Sequence, residues 1–88
     1  MQYRIVELAK KDASGLVGHS VLTPDHRLAK FVSYDDARAL IESRLQDGDT
    51  VTEEYQSGRQ VSYTAAEFRA EQENIRKRLG IGMPDALR

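Results

Sequence analysis

The sequence predicts an α+β fold: a helix, a β-hairpin and a second helix, preceded by a small antiparallel β-meander. Three observations carry this reading. A serine-capped apolar stripe begins at Ser33, two β-prone runs surround a glycine turn at Gln56-Ser57-Gly58, and a threonine capping box opens a second helical stretch at Thr64. With 88 residues, folding hides roughly 60–65% of the unfolded chain's surface, which is enough for one small domain. Within that single domain the reading divides the chain into a β-rich stretch over 1–32, a helix–hairpin–helix over 33–80 and a tail over 81–88.

The first helix is expected over about 34–47. Ser33-Tyr34-Asp35-Asp36 places a capping hydroxyl before two carboxylates in the positive first turn. Ala37, Leu40, Ile41 and Leu45 then fall on one helical face. Gln46-Asp47-Gly48-Asp49 supplies the stop, with Gly48 suited to a left-handed C′ position.

The hairpin joins Thr50–Tyr55 to Arg59–Tyr63. A two-residue turn would scatter apolar groups over both faces. A three-residue loop, Gln56 to Gly58, pairs Val51 with Tyr63, Glu53 with Val61 and Tyr55 with Arg59. That register collects Val51, Tyr55, Val61 and Tyr63 on one face, and it puts Gly58 where a G1 bulge requires a left-handed residue.

Thr64-Ala65-Ala66-Glu67 is a capping box, and Tyr63 with Phe68 form the hydrophobic staple around it. Ala65, Phe68, Ile75 and Leu79 share a narrow apolar face interrupted by Gln72. Arg76, Lys77 and Arg78 are expected in the last turn, with Gly80 closing the helix. Upstream, Tyr3–Ala9, Leu16–Thr23 and Leu28–Val32 read as the three meander strands, with a turn at Thr23-Pro24-Asp25-His26.

Composition narrows the function classes. Thirteen lysines and arginines against fourteen aspartates and glutamates give a net charge of −1, which argues against a protein whose main task is wrapping nucleic acid. The absence of cysteine excludes disulfides, Cys–zinc sites, iron–sulfur clusters and thiol nucleophiles. No apolar run exceeds about four residues, so neither a transmembrane helix nor a signal peptide is expected. The charge is unevenly spread: +2 over residues 1–34, −5 over 35–58 and +2 over 59–88. An acidic middle between weakly basic ends suits stacking against a partner or against copies of the chain, although solvated helix faces and turns give the same pattern.

Catalytic constellations are wanting. His19 and His26 fall on different elements, and no metal-ligand spacing joins them to Asp12, Asp25, Asp35 or Asp36. His19-Ser20 cannot act as base and nucleophile, because adjacent strand residues face opposite ways. Gly15-Leu16-Val17-Gly18 lacks the basic helix of a nucleic-acid clamp. Gln46-Asp47-Gly48-Asp49 is too short for a calcium loop. The expectation is a protein that is not an enzyme, with no catalytic residue, metal or cofactor.

Two groups could carry recognition. Arg76-Lys77-Arg78 could meet phosphate or an acidic surface, with complementing the helix dipole as the plainer reading. Tyr55, Arg59 and Tyr63 form a planar, adaptable cluster of the kind favoured at interfaces, with half-buried strand tyrosines as the plainer reading. The helix–hairpin–helix segment offers about ten apolar side chains, so an isolated copy would be marginal, and the meander or neighbouring copies are expected to complete its core.

The stretch from Asp36 to Leu79 resembles the W-type head-to-tail joining proteins of tailed bacteriophages. The resemblance rests on Leu40, Ile41 and Leu45, then Gly48 and Val51, then Ser57-Gly58-Arg59-Gln60-Val61-Ser62-Tyr63-Thr64, and finally Phe68, Ile75 and Leu79. It covers about half the chain, and the short members lack an extension like the first 32 residues. The resemblance implies two antiparallel helices flanking a β-hairpin, in a virion protein that forms a ring in the neck, assembled in the host cytoplasm. The implied partners are copies of the chain, a portal or adaptor, and the next neck or tail protein. No membrane is involved, and nucleic acid enters only as DNA passing through the ring. Tyr55, Arg59, Tyr63, Arg76, Lys77, Arg78, Met83 and Leu87 are then the expected contact residues. The alternative is a small phage-type inhibitor or regulator that binds a host protein.

Overall fold

The computed structural model describes residues 1–82, with side chains through Arg78. Five strands and two helices follow in the order β1 (Gln2–Lys11), β2 (Val17–Leu22), β3 (Arg27–Val32), α1 (Tyr34–Glu42), β4 (Thr50–Glu54), β5 (Gln60–Thr64) and α2 (Ala65–Gly82). The fold is mixed α+β, and the strands form one sheet in the order β3-β2-β1-β4-β5. The meander is antiparallel, and so is the β4–β5 hairpin. The two are joined by a parallel pairing of β1 with β4, Tyr3 opposite Val51 and Ile5 opposite Glu53. No local signal in the sequence announces this pairing. A parallel pair requires a long crossover, and here β2, β3 and α1 together supply it.

One face of the sheet is covered. Tyr3, Ile5, Val21 and Val51 point to it and pack with Ala37, Ile41 and Leu45 from the α1 region and with Ala65 and Phe68 from α2. The other face carries polar pairs, such as the Thr52 and Ser62 hydroxyls 3.2 Å apart, and leaves Phe31 exposed.

The local signals are realised at the cap and hairpin positions. Ser33 Oγ accepts from the Asp36 amide at 3.1 Å. The Thr64 amide donates to Glu67 Oε1 at 2.9 Å while Thr64 Oγ1 accepts from the Glu67 amide at 3.1 Å, the reciprocal capping box. The Tyr63 and Phe68 rings meet edge to face, 6.0 Å between centroids. The hairpin takes the three-residue register, Val51 opposite Tyr63 and Glu53 opposite Val61. The Tyr55 amide donates to the Arg59 carbonyl at 2.9 Å, and Gly58 has φ +90°.

Helix ends differ from expectation. The first helix stops at Glu42 rather than near residue 47. The Ser43 hydroxyl bonds back to the Leu40 carbonyl at 2.7 Å, and the Arg44 amide reaches Ile41 rather than Leu40, tightening the last turn. Gly48 has φ +89°, but it serves a separate turn. There the Asp49 carboxylate accepts from the Gln46 amide at 2.8 Å and from the Met1 ammonium at 3.0 Å. The second helix does not close at Gly80; it continues through Gly82. A helical glycine costs about 1 kcal/mol, which is too little to end a helix alone. Arg76, Lys77 and Arg78 therefore sit inside the helix and not in its last turn, and Ile81 and Gly82 belong to the helix rather than to a tail.

Candidate functional site

The principal polar feature lies between the two helices and the hairpin. Strand β4 alternates, so Val51, Glu53 and Tyr55 all face the helices. Glu53 is thereby placed in the core at 2% exposure. The opposing charge comes from Arg38 of α1, 1% exposed, one position after the core residue Ala37. Arg38 Nη1 donates to Glu53 Oε2 at 2.7 Å and to the Tyr34 hydroxyl oxygen at 2.8 Å. Its Nε donates to Gln72 Oε1 at 2.6 Å, and its Nη2 lies 3.0 Å from Glu71 Oε1 without the alignment of a hydrogen bond. The guanidinium also stacks over the Phe68 ring, 4.3 Å from its centroid, with the Tyr34 and Tyr63 rings at 5.5 Å.

Three tyrosines complete the cluster. Tyr34 donates to Glu53 Oε2 at 2.5 Å, while Tyr55 and Tyr63 donate to Oε1 at 2.8 and 3.3 Å. Both oxygens of the carboxylate are thus occupied by donors. Burial, reinforced by the Glu53 charge, raises the pKa of all three phenols above the usual tyrosine range. Burial opposes the Arg38 charge, but the Tyr34 oxygen, Glu53 and Glu71 outweigh it and raise the Arg38 pKa. The phenols stay protonated and the guanidinium stays charged. Chemically the arrangement is a closed hydrogen-bond network in which each acidic or basic group already faces another member.

The structure brings together only some of the residues singled out from sequence. Tyr55 and Tyr63 meet at Glu53, and the Arg59 guanidinium stacks 5.6 Å from the Tyr55 ring centroid. Arg76 is elsewhere, paired with Glu42 of α1 and with Glu73 at 3.5 Å. Lys77 and Arg78 line a shallow groove on α2 with Glu67, Glu71 and Asn74. Met83 and Leu87 lie outside the described residues. Among the described residues no group of three or more His, Asp or Glu side chains is arranged to hold a metal, and no helix is long and apolar enough to cross a membrane.

Sequence reasoning missed Glu53, Arg38 and Tyr34. The signals for them were present. The three-residue hairpin register puts Glu53 on the same face as Val51 and Tyr55, and Arg38 adjoins the stripe of Ala37 and Ile41. Gln72, which interrupts the stripe of α2, is the residue that accepts the hydrogen bond from Arg38 Nε. A charged residue inside each of two apolar patterns is a sign of a buried pair. His19 is also buried, at 6% exposure, with its ring 5.5 Å from that of Tyr34 and its Nδ1 without a hydrogen-bond partner. The chain matches no protein-family model, no curated protein and no solved structure.

Proposed function

We propose that the chain works by binding rather than by catalysis, as a structural connector protein of a phage particle that assembles through its own copies and adjoining neck proteins. One observation carries the non-catalytic part. The polar cluster that a search for chemistry would select is closed on itself, with Glu53 and Arg38 side chains each 2% exposed. Glu53 and Arg38 are turned towards each other rather than towards solvent, which supports a binding role over a catalytic one. The sheet face and the edge of β5 that no described residue covers are, by contrast, surfaces on which another protein can lie.

The connector form of the reading is supported by the resemblance over Asp36–Leu79. It is also supported by the element order α1, β4, β5, α2 in that stretch, and by the side-chain bonds through which Arg38 of α1 links Glu53 of β4 to Gln72 of α2. In this reading Tyr55 and Arg59 give the hairpin a rigid tip for the next protein, and Tyr63 lies further along β5.

The test is assembly. Light scattering is measured on the purified chain alone and after mixing with phage portal and tail proteins. Multi-copy species, or a joint complex of defined mass, are expected. A chain that is absent from purified particles and binds one host protein one-to-one overturns the connector reading in favour of a host-protein inhibitor.

A further inference from the structure

The two edges of the sheet are built differently. Strand β3 is poorly suited to accept another strand. Its pairing with β2 shifts register between His19 and Val21 and again between Val21 and Leu22, and it carries Arg27 and Lys30. Bulges and basic side chains are the usual protection of an edge. Strand β5 has neither. It pairs without a register shift, Thr50 with Thr64 through Glu54 with Gln60, and its residues Gln60-Val61-Ser62-Tyr63-Thr64 carry no charge.

The direction of its free backbone groups follows from the ladder. Tyr55 donates to the Arg59 carbonyl and Ala65 donates to the Asp49 carbonyl. Antiparallel pairs alternate, so residues 59, 61, 63 and 65 bond inward to β4, and Gln60 and Ser62 turn their N–H and C=O groups outward. The next outward amide, that of Thr64, is already held by Glu67. The usable edge is therefore Gln60 to Ser62.

We infer that β5 pairs antiparallel with β5 of a second copy, about a two-fold axis at Val61. This rests on the reading of the chain as an assembling protein and specifies one contact by which copies meet. In this register Gln60 of each copy lies opposite Ser62 of the other, and each pair exchanges two backbone hydrogen bonds, so the edge groups are satisfied without disturbing the Thr64 cap. The half-buried Val61 meets its own counterpart on the helix-covered side. Arg59 falls opposite Tyr63 of the other copy, next to that copy's Glu67 and Glu71. Arg59 makes no ion pair among the described residues, whereas Glu67 caps Thr64 at the end of β5 and lines a groove with Ser62 and Tyr63, and Glu71, 3.0 Å from Arg38, follows one turn further along α2. The charges of the two copies are thus complementary. An uncharged edge between complementary charges favours a second copy over an arbitrary extended peptide.

Sedimentation equilibrium of the wild type and two double variants tests this. Gln60 and Ser62 are exposed, so Gln60→Lys with Ser62→Lys, and Gln60→Glu with Ser62→Glu, spare the core; matching thermal melts verify this. The wild type is expected to shift from 9.9 kDa towards twice that mass as its concentration rises to about 1 mM. Each double variant places like charges opposite one another at both pairs and is expected to weaken dimerisation at least about tenfold. A one-to-one mixture of the two variants is expected to restore it. A wild type that stays monomeric throughout overturns the inference, while the connector reading is then decided separately by mixing with neck proteins. Self-association that neither variant weakens also overturns the β5 contact, and leaves assembly itself standing. Weakening by both variants without restoration in the mixture overturns the two-fold register and identifies the edge as a site for a different extended segment.

Discussion

Glu53 and Glu54 are neighbours on one strand, both paired to an arginine, and they live in different physical worlds. Glu53 turns towards the helices, is buried with Arg38 and accepts from three phenols. Glu54 turns to the open face, where Arg4 grips it with two nitrogens, Nε at 2.5 Å and Nη2 at 3.0 Å, and the Arg4 side chain stays 48% exposed. The pairs are alike in chemistry. Solvent makes the difference: an exposed pair exchanges water for a partner at little net gain, whereas a buried charge has no water to fall back on. A contact list alone would rank the bidentate surface pair above the buried one. Burial reverses the order.

The sharpest way to break the comparison is to remove each carboxylate in turn. Glu53→Ala strands the Arg38 charge and three hydroxyls in the core and is expected to cost about 3–5 kcal/mol in urea unfolding. A loss below about 1 kcal/mol would show that water reaches Arg38 and that the site is not closed. Tyr34→Phe removes one hydrogen bond donated to the same carboxylate and one accepted from Arg38, and is expected to cost about 1.5–3 kcal/mol by the same measurement.

The phenols add a pH limit. Tyr34, Tyr55 and Tyr63 have folded pKa values above their unfolded ones. Above about pH 10 the unfolded chain therefore binds fewer protons than the folded chain. The stability they contribute is complete below the ordinary tyrosine pKa and is lost as pH rises past it. Tyrosinate absorbance from these three should appear together with unfolding as the pH is raised; a gradual rise with the fold intact would contradict the buried cluster. At the small end, Glu54→Ala is expected to cost no more than about 1 kcal/mol, and the difference should shrink in high salt.

The same contrast explains what was legible in the sequence. Ser33, Thr64, Glu67 and Gly58 announce themselves because a cap or a tight turn is decided by residues within four positions of each other. The register of the hairpin followed from asking which pairing puts Val51 and Tyr63 on one face. The pairing of β1 with β4 left no such trace, since Tyr3 and Val51 carry no mark of each other. Glu53 was hidden by its chemistry. Read singly, a glutamate in a half-polar strand passes for a solvent-facing residue, as its neighbour Glu54 in fact is. The end of α1 was misplaced because Leu45 continues the apolar spacing from beyond the helix; it is buried at 8% exposure by a chain that has already turned.

The central place of β1 has a consequence for the order of folding. The hairpin and the two capped helices join residues close in the chain and can form on their own timescales. The sheet becomes continuous only when Gln2–Val6 meets Thr50–Glu54, which requires most of the chain to be present and a large loop to be closed first. During synthesis the first strand therefore waits, with β2 on one side and nothing on the other, until the ribosome has delivered the hairpin. Docking of β4 onto β1 is the expected slow step. Substitutions along that seam should slow refolding, whereas changes in the outer strands should act mainly on the unfolding rate.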